Sequence, residues 1–171
     1  MGLLKVVKFI LKVLSNICYI LIALYFFVSF PTFLGLKPLV VLSGSMSPTY
    51  KVGTVIYYKE VAIEDIKEMD VITFASGSDS NVTHRVTGFI DGKIQTKGDA
   101  NISPDSELVA YEEVKGRVIE YKLPVVGYYI KFVNENLYLV GVVIIILISE
   151  FFIENMKCFD INNKKREEKK I

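Results

Sequence analysis

Residues 82–97 read VTHRVTGFIDGKIQTK, and this stretch decides the fold of the central part of the chain. The runs Val82–Ile90 and Lys93–Lys97 are separated only by Asp91-Gly92. An Asp-Gly pair suits a two-residue turn between antiparallel strands, because both residues tolerate positive φ. We therefore predict a β-hairpin in this segment.

Further short strands are predicted on both sides of the hairpin. The candidates are rich in β-branched and aromatic residues; they are Val52–Tyr58, Val71–Phe74 and Val114–Tyr121. Between the two apolar segments, helical geometry is predicted only for a turn around Ile63–Glu68. The predicted fold class is therefore mainly β, with a small β domain flanked by N- and C-terminal transmembrane helices.

The first apolar segment, Val13–Leu36, contains no charged residue. Its part Val13–Phe30 would rise about 27 Å as a helix, enough to cross a bilayer core. Three lysines precede it near one helical face: Lys5, Lys8 and Lys12. Pro31 is expected to end or bend the helix. A cleaved signal peptide is the alternative, but the run is long for one and lacks a small-x-small cleavage site.

The second apolar segment is weaker, because Leu137–Ser149 reaches Ile153 only by including Glu150. About 17 residues are at the lower limit for a span, so a buried or interfacial helix is the alternative. Lysines outside both segments place both termini in the cytoplasm by the positive-inside rule. The predicted organisation is a basic cytoplasmic N-terminus with a transmembrane helix (1–36), an extracytoplasmic β domain (37–133), a second transmembrane helix (134–154) and a charged cytoplasmic tail (155–171).

Composition narrows the functional classes. Of 171 residues, 51% are hydrophobic, the net charge is +1 and the mean hydropathy is +0.39. Cys18 and Cys158 lie in an apolar run and a charged tail, so neither a disulfide framework nor a thiolate–zinc site is expected. Because the sequence shows no Gly-rich phosphate loop, no metal-ligand cluster and no basic aromatic patch, we expect no metal, no cofactor and no nucleic-acid partner.

A Gly-flanked serine follows the apolar run Leu39–Leu42, in Ser43-Gly44-Ser45-Met46-Ser47-Pro48. A strand would deliver this segment into a turn, where glycine permits close backbone approach and Pro48 fixes the exit. Ser45 is then a candidate nucleophile, with a second hydroxyl and backbone N–H groups near it. Taken alone, Ser-Gly-Ser is more often a plain loop.

His84 is the single histidine of the chain. In the strand Val82–Ile90, alternation puts it on the same inward face as Val86. A serine needs a group that takes its proton, and imidazole changes charge between pH 5 and 8. A third group must orient the imidazole. Asp99 and Asp105 are the candidates, and spacing does not decide between them.

In chain order, these segments resemble the conserved boxes of type I signal peptidases, specifically the endoplasmic-reticulum-type branch also found in archaea and some Gram-positive bacteria. Ser43–Thr49 resembles the serine box, and Asp70–Phe74 resembles the strand box after it. Thr83–Val86 resembles the box in which this branch has histidine where the bacterial branch has lysine. Thr96–Asn101 resembles the Gly-Asp-Asn box, and the likeness extends over residues 39–133.

The resemblance implies a serine endopeptidase, a signal peptidase I. It implies Ser45 as the nucleophile and His84 as the general base that later protonates the leaving amine. Ser43 would lie near the oxyanion hole. Asp105, six positions after the Gly-Asp aspartate, would complete the triad, and Asp99 would support the site.

The same resemblance predicts shallow apolar pockets for small side chains before the scissile bond; their expected walls are Val40, Leu42, Met46 and Val86. Three departures from the family pattern are present. Met69-Asp70 replaces Gly-Asp and should disturb a turn, Ala100 replaces an asparagine, and Tyr50 replaces a leucine and should alter a pocket.

The chain is thus expected to be a multi-pass protein of the cell membrane whose catalytic domain lies outside the cytoplasm. Its expected partners are secretory preproteins and the lipid bilayer, and the sequence does not identify other subunits. The alternative is a non-catalytic membrane-anchored β domain for assembly or surface binding. A sortase-type transpeptidase would need a cysteine in the β domain, and both cysteines lie outside it.

Overall fold

The computed structural model describes the backbone of residues 2–77 and 80–168, and the side chains of residues 5–77 and 80–153. Residues 27–132 form one compact unit, and the two terminal segments form a second. The helices are α1 (Gly2–Ser29), α2 (Val126–Glu135) and α3 (Tyr138–Glu168). The strands are β1 (Lys37–Val40), β2 (Val55–Lys59), β3 (Val71–Ser76), β4 (Ser80–Ile90), β5 (Lys93–Lys97) and β6 (Val114–Leu123). Short 3-10 turns cover Phe30–Leu34, Ile63–Asp65 and Tyr111–Glu113.

The six strands form one antiparallel sheet in the order β1-β2-β6-β3-β4-β5. The predicted hairpin is confirmed, since Ile90 pairs with Lys93 while Asp91 and Gly92 have φ values of 49° and 71°. Positive φ at both central positions is what a type I′ turn requires. Because β6 lies between β2 and β3, it joins β1 and β2 to the hairpin in a single sheet.

The other strand predictions agree with the structure within a few residues. The strands predicted at Val71–Phe74 and Val114–Tyr121 are present as β3 and β6. The strand predicted over Val52–Tyr58 begins only at Val55. The reason is Gly53, whose φ of +81° belongs to a turn and not to a strand.

The chain as a whole is mixed α/β, which corrects the prediction of a mainly β protein. The central region is β, as predicted, but the three helices together contain more residues than the six strands. The helical share comes from the long apolar segments at both ends. It also comes from α2, in a stretch for which the sequence predicts only a path back towards the membrane.

The N-terminal helix is long and apolar enough to cross a membrane, over Lys5–Leu34. The α-helix ends at Ser29 and a 3-10 turn begins at Phe30, next to Pro31, where an end or bend is predicted. Gly35 follows with φ +79°. The described part of α3 meets the same criterion only together with α2, as a bent pair. The second span therefore stays a prediction. The predicted charged tail, residues 155–171, lies outside the residues whose side chains are described.

Two apolar clusters support the sheet. The first joins buried side chains of β3, β4 and β5, which include Ile72, Phe74, Val86 and Ile94. The second joins Met46 and Tyr50, which follow β1, to Ile56 of β2 and Val71 of β3. Full burial of one such side chain stabilises the fold by about 2 kcal/mol. The second cluster therefore fixes the segment that contains Ser45.

The turn before β3 contains a strained residue. Met69 has φ +72°, and its side chain is 67% exposed. The N–H of Asp70 donates to the Lys67 carbonyl at 3.1 Å, which closes a four-residue turn with Met69 in third position. Glycine is favoured at a position with this φ. Because Met69-Asp70 replaces Gly-Asp, the sequence predicts a disturbed turn at this position. The positive φ of Met69, a residue that is not glycine, confirms that prediction.

Replacing Met69 with glycine should stabilise the protein. Met69→Gly relieves a left-handed conformation that costs about 1 kcal/mol in a non-glycine residue. Circular dichroism of the detergent-solubilised chain should show a thermal midpoint several degrees higher. Ile102→Gly is the control, because Ile102 is 99% exposed but does not have positive φ. A midpoint that rises equally in both variants, or in neither, would contradict the assignment of strain to Met69.

Candidate active site

The segment after β1 forms a compact turn that presents Ser45. The N–H of Ser47 donates to the Gly44 carbonyl at 2.9 Å, and the N–H of Tyr50 donates to the Met46 carbonyl at 2.8 Å. Met46 is 2% exposed, whereas Ser45 is only half-buried. The buried methionine therefore anchors the turn and leaves the neighbouring hydroxyl accessible.

A second backbone segment, residues 98–101, holds this turn in place. The N–H of Ala100 donates to the Ser45 carbonyl at 2.8 Å. A Cβ at Gly98 would lie 2.7 Å from that carbonyl oxygen and 2.8 Å from Nδ2 of Asn101. Such an approach requires glycine. Since the Ala100 contact uses the main chain, the departure from asparagine at position 100 does not disturb it.

His84 lies on β4 and is 8% exposed, on the inward face that alternation predicts. Its Nδ1 lies 2.6 Å from Oδ2 of Asp105. The Phe74 ring meets the imidazole edge-on, with 6.4 Å between ring centroids. These contacts fix the plane of the imidazole ring. With Nδ1 bound to the carboxylate, Nε2 is the nitrogen available for proton exchange.

Asp105 is docked on β5 by Thr96. Its N–H donates to the Thr96 carbonyl at 2.8 Å, and its Oδ2 accepts the Thr96 hydroxyl at 2.7 Å. Thr96 is fully buried. The same carboxylate oxygen thus contacts both Thr96 and His84. A carboxylate held in this way can orient an imidazole and stabilise its charged form.

Asp99 has different partners. The Arg85 guanidinium donates to both carboxylate oxygens at 2.8 and 2.7 Å, and the Thr49 hydroxyl donates to Oδ2 at 2.5 Å. The Arg85 hydrogen bonds hold the pKa of Asp99 below its ordinary value, and the same pairing raises the pKa of Arg85. Of the two candidate acids, the structure therefore brings Asp105 to His84 and Asp99 to Arg85.

Ser45 and His84 line one cavity of about 590 Å³. The Ser45 hydroxyl lies 3.3 Å from the Ser43 hydroxyl, and its hydrogen bond is to that group and not to the imidazole. Catalytic hydrogen bonds are often long without substrate and tighten when it binds. The cavity thus contains a serine hydroxyl, a second hydroxyl and an oriented imidazole on its walls.

The apolar lining differs in part from the prediction. Leu42 and Met46 line the cavity, as predicted. Val40 also lies along the cavity, but its Cγ1 points towards Gly127, on the face of the sheet opposite the Met46 cluster. The prediction for Val86 is wrong, because its side chain is fully buried in the first apolar cluster of the sheet. Tyr50 lines the cavity, so the departure from leucine does change this pocket.

Three supporting residues were not predicted. Arg85 and Thr96 bind the two aspartates, and both lie inside the boxes quoted above, which is the signal that could have pointed to them. The third is Lys122 on β6, whose Nζ donates to the Thr49 carbonyl at 2.8 Å and lies 5.3 Å from the centroid of the Tyr50 ring. Lys122 has no local signal, because only the strand order brings β6 to the serine turn.

Known proteins of one enzyme class share sequence with this chain. Residues 11–116 match the family model described as "Signal peptidase, peptidase S26". Signal peptidase I W of Bacillus subtilis is 31% identical over 131 residues, which cover 67% of this chain and 69% of that protein. The signal peptidase complex catalytic subunits sec11 of Sclerotinia sclerotiorum and SEC11 of Leptosphaeria maculans are 34% and 33% identical over 110 residues. Those matches cover 57% of this chain and 63% of each fungal protein, so the chain spans less than two thirds of the fungal relatives' length.

The β domain and these matches define the protein as a serine peptidase. The chain belongs to the signal peptidase family, peptidase S26. The resemblance to type I signal peptidases of the endoplasmic-reticulum-type branch is thereby confirmed. Removal of signal peptides is the activity that this membership supports.

The ion pair of Asp99 should make stability depend on acidic pH. Because the pKa of Asp99 is lowered in the folded protein, the pair stabilises the fold above the ordinary carboxyl range and is lost as the pH falls through the lowered value. At pH 7, Asp99→Asn should lower the unfolding free energy by about 2 kcal/mol. The difference from the parent chain should shrink below about pH 4. Urea unfolding across this pH range measures both effects.

Glu60→Gln is the control for that series, because it breaks an exposed ion pair with Lys37. Exposed pairs contribute little to stability, so this variant should follow the parent chain at every pH. If the unfolding free energies of Asp99→Asn and the parent chain differed by the same amount from pH 7 to pH 3, the ion pair would not be the cause of the lower stability.

Because Gly98 packs closely against Ser45, a larger residue at position 98 is predicted to reduce activity. Gly98→Ala forces the serine turn to move, and a displacement of about 1 Å at a reacting group can cost 100-fold in rate. Gly88→Ala is the matched control, because a Cβ at Gly88 meets nothing within 4 Å. Preprotein cleavage should fall strongly in Gly98→Ala and stay near the parent rate in Gly88→Ala. Equal rates for the two variants would contradict the positioning role of Gly98.

Proposed function

We propose that the chain cleaves signal peptides from secretory preproteins with Ser45 as nucleophile, His84 as general base and Asp105 as the acid that orients the imidazole. One observation carries the proposal. The imidazole that lines the Ser45 cavity has its Nδ1 at 2.6 Å from a carboxylate. That is the arrangement needed to activate a serine hydroxyl at neutral pH.

The proton path follows from this geometry. Nε2 of His84 takes the proton of Ser45 as Oγ bonds to the scissile carbonyl carbon. When the C–N bond breaks, Nε2 returns that proton to the leaving amine, and the acyl group remains on Ser45. Water then gives a proton to Nε2 as its oxygen bonds to the ester carbonyl carbon. The bond from that carbon to Ser45 Oγ breaks as Nε2 returns the proton to Oγ, which releases the acid and restores the serine. Asp105 stabilises the imidazolium formed in each half of the reaction.

The oxyanion is proposed to bind at the start of the serine turn. The N–H of Ser45 and the hydroxyl of Ser43 are the donors, and the Ser43 hydroxyl is 3.3 Å from the Ser45 hydroxyl. One such donor lowers the barrier by about 3 kcal/mol. Met46, buried beside Ser45, fixes the donors and forms an apolar wall for the substrate.

The substrate is proposed to bind as an extended strand between two strand edges. Residues 39–43 and residues 80–84 both line the cavity. Among the described strands, β1 pairs only with β2, and the pairing of β4 with β5 begins at Arg85. Both edges are therefore available to a peptide main chain. Strand addition of this kind gives affinity from the main chain and selectivity from alternate side chains.

Membrane anchoring by α1 would hold this groove at the outer surface of the cell membrane. The proposed topology is multi-pass, with α3 as the second span, the β domain outside the cytoplasm and both termini inside. A preprotein would then reach the groove as its signal peptide leaves the bilayer. A purely structural β domain is disfavoured, because family membership indicates a peptidase and such a domain has no use for the His84–Asp105 pair.

Alanine and amide substitutions test the assignment of roles. With a preprotein in detergent or vesicles, Ser45→Ala and His84→Ala should each lower the cleavage rate by about 10⁵- to 10⁶-fold. Asp105→Asn should lower it by about 10³- to 10⁴-fold, because the imidazole loses its orientation. Ser47→Ala lies in the same turn and should change the rate by less than about twofold.

The variants Asp99→Asn and Asp105→Asn distinguish the roles of the two aspartates, because they are expected to affect the thermal midpoint and the cleavage rate differently. Asp99→Asn should lower the thermal midpoint and lower the rate less than Asp105→Asn does, because Asp99 positions the serine turn through Arg85 and Thr49 without contacting the imidazole. Asp105→Asn should keep its thermal midpoint and lose rate. Undiminished cleavage by folded Ser45→Ala would end the proposed mechanism, and a reversed pattern for the aspartates would exchange their roles.

A further inference from the structure

Lys122 of β6 lies on the face of the sheet that carries an apolar wall of the active-site cavity. It stands directly opposite Ile56 of β2, and the side chains of directly opposite residues in an antiparallel pair share one face. Ile56 is fully buried, belongs to the Met46 cluster and lines the cavity. The Lys122 side chain therefore starts beside the wall of the site.

A bulge in β6 produces this placement. Tyr58 of β2 pairs with Val118 of β6. Ile56 pairs with Lys122, so two steps along β2 correspond to four steps along β6. Bulges often lie next to active sites, where they redirect a side chain. Without the extra residues, the register of Tyr58 would put Glu120 opposite Ile56, so the bulge brings a cation to the wall in place of an anion.

The ammonium group of Lys122 makes two contacts with the end of the serine turn. Its Nζ donates to the Thr49 carbonyl at 2.8 Å and lies 5.3 Å from the centroid of the Tyr50 ring. A cation within about 6 Å of a ring centroid is attracted by the negative face of the ring. Burial raises the pKa of the Tyr50 phenol above its ordinary value, so the ring carries no charge at neutral pH. One contact thus holds the main chain before the ring, and the other holds the ring itself.

The Tyr50 ring forms the part of the cavity wall that lies close to the nucleophile. Its N–H donates to the Met46 carbonyl at 2.8 Å. Both side chains belong to the same buried cluster, and both line the cavity. Met46 directly follows Ser45 in the sequence. A substrate side chain next to the scissile bond, which must lie against Ser45, therefore meets this part of the wall.

We propose that Lys122 is a positioning residue that holds the Tyr50 ring in place, and that the held ring limits the residue immediately before the scissile bond to a small side chain. A ring without this contact can change its rotamer and open the pocket to a larger side chain. Lys122 acts through Tyr50 and does not itself touch the reacting atoms. This inference rests on the proposed function for its substrate class, signal peptides.

Selectivity between two preprotein peptides measures the effect in the full chain. The peptides differ only in the residue before the scissile bond, which is alanine in one and valine in the other. In the parent chain, kcat/KM should favour alanine by at least about tenfold, the scale on which an apolar pocket discriminates a methylene group. Lys122→Met keeps an unbranched side chain without the charge, and it should lower this ratio about fivefold. A fivefold change is about 1 kcal/mol, the size of a cation–π contact.

Two lysine substitutions serve as controls. Lys122→Arg keeps a cation that can donate hydrogen bonds and stack on an aromatic ring, so the ratio should stay within about twofold of the parent value. Lys115→Met removes an exposed lysine near the start of β6, where that strand pairs with β3, and should leave the ratio unchanged. A general loss of folded protein lowers both rates together, so it does not change the ratio.

Tyr50→Leu tests whether Lys122 acts through the ring. This variant keeps an apolar side chain in the Met46 cluster, and it should lower the ratio at least as far as Lys122→Met does. Adding Lys122→Met to Tyr50→Leu should then change the ratio by less than about twofold, because the ring through which the lysine acts is absent.

The outcomes separate this inference from the proposed function. In the Ser45→Ala background, fluorescence anisotropy gives the ratio of the two peptide Kd values without catalysis, and Lys122→Met should lower that preference for alanine as well. A parent chain that binds both peptides and cleaves neither would contradict the proposed function, while the Kd ratio still tests the inference. Equal ratios in Lys122→Met and Lys115→Met would overturn the inference. A fivefold fall on adding Lys122→Met to Tyr50→Leu would also overturn it, as would a parent chain that does not prefer alanine.

Discussion

The carboxylate of Asp99 receives two hydrogen bonds from Arg85 and one from Thr49, and the relation between the two halves of the site depends on this ion pair. Thr49 lies in the turn that presents Ser45, and Arg85 follows His84 on β4. The two segments come from different parts of the sheet. A bidentate, largely buried pair fixes both distance and orientation, so it can hold a serine turn against a distant strand. Asp99 thus acts on the site's geometry, while Asp105 contacts the imidazole itself.

Further contacts around the Asp99–Arg85 pair also hold the serine turn against the sheet. Arg85 also donates to the Met69 carbonyl at 2.8 Å, which connects the strained turn before β3 to the site. Lys122 of β6 donates to the Thr49 carbonyl and covers the Tyr50 ring. Each contact uses a cation and a backbone carbonyl or an aromatic face. The serine turn is therefore held by the sheet from several strands, while its own segment has few internal hydrogen bonds.

Much of this arrangement could be predicted from the sequence because the signals are local. Asp91-Gly92 between two β-rich runs predicts a hairpin, and alternation on β4 predicts that His84 points inward. Other features depend on distant parts of the chain. The choice between Asp99 and Asp105 needs the position of Arg85, and Lys122 reaches the site only because β6 lies between β2 and β3. The resemblance predicts Val86 as a pocket wall, but Val86 is buried in the core; alternation gives the face of a residue and does not say where along that face the core ends. α2 was missed because Pro124 and Gly127 indicate a loop, whereas packing on Gly53 stabilises the helix start.

The short run from Gly98 to Asp105 touches the backbone of Ser45 at one end and the imidazole of His84 at the other. Gly98 and Ala100 contact the backbone of Ser45, and Asp105 binds His84 and Thr96. If this run were to detach, hydroxyl and imidazole would lose their supports in the same event. Exposure of the Ser45 hydroxyl and loss of the oriented imidazole would then coincide, so a partly unfolded chain would hold no activated serine. Protection of neighbouring membrane proteins from stray proteolysis would then come from the covalent order of the chain itself.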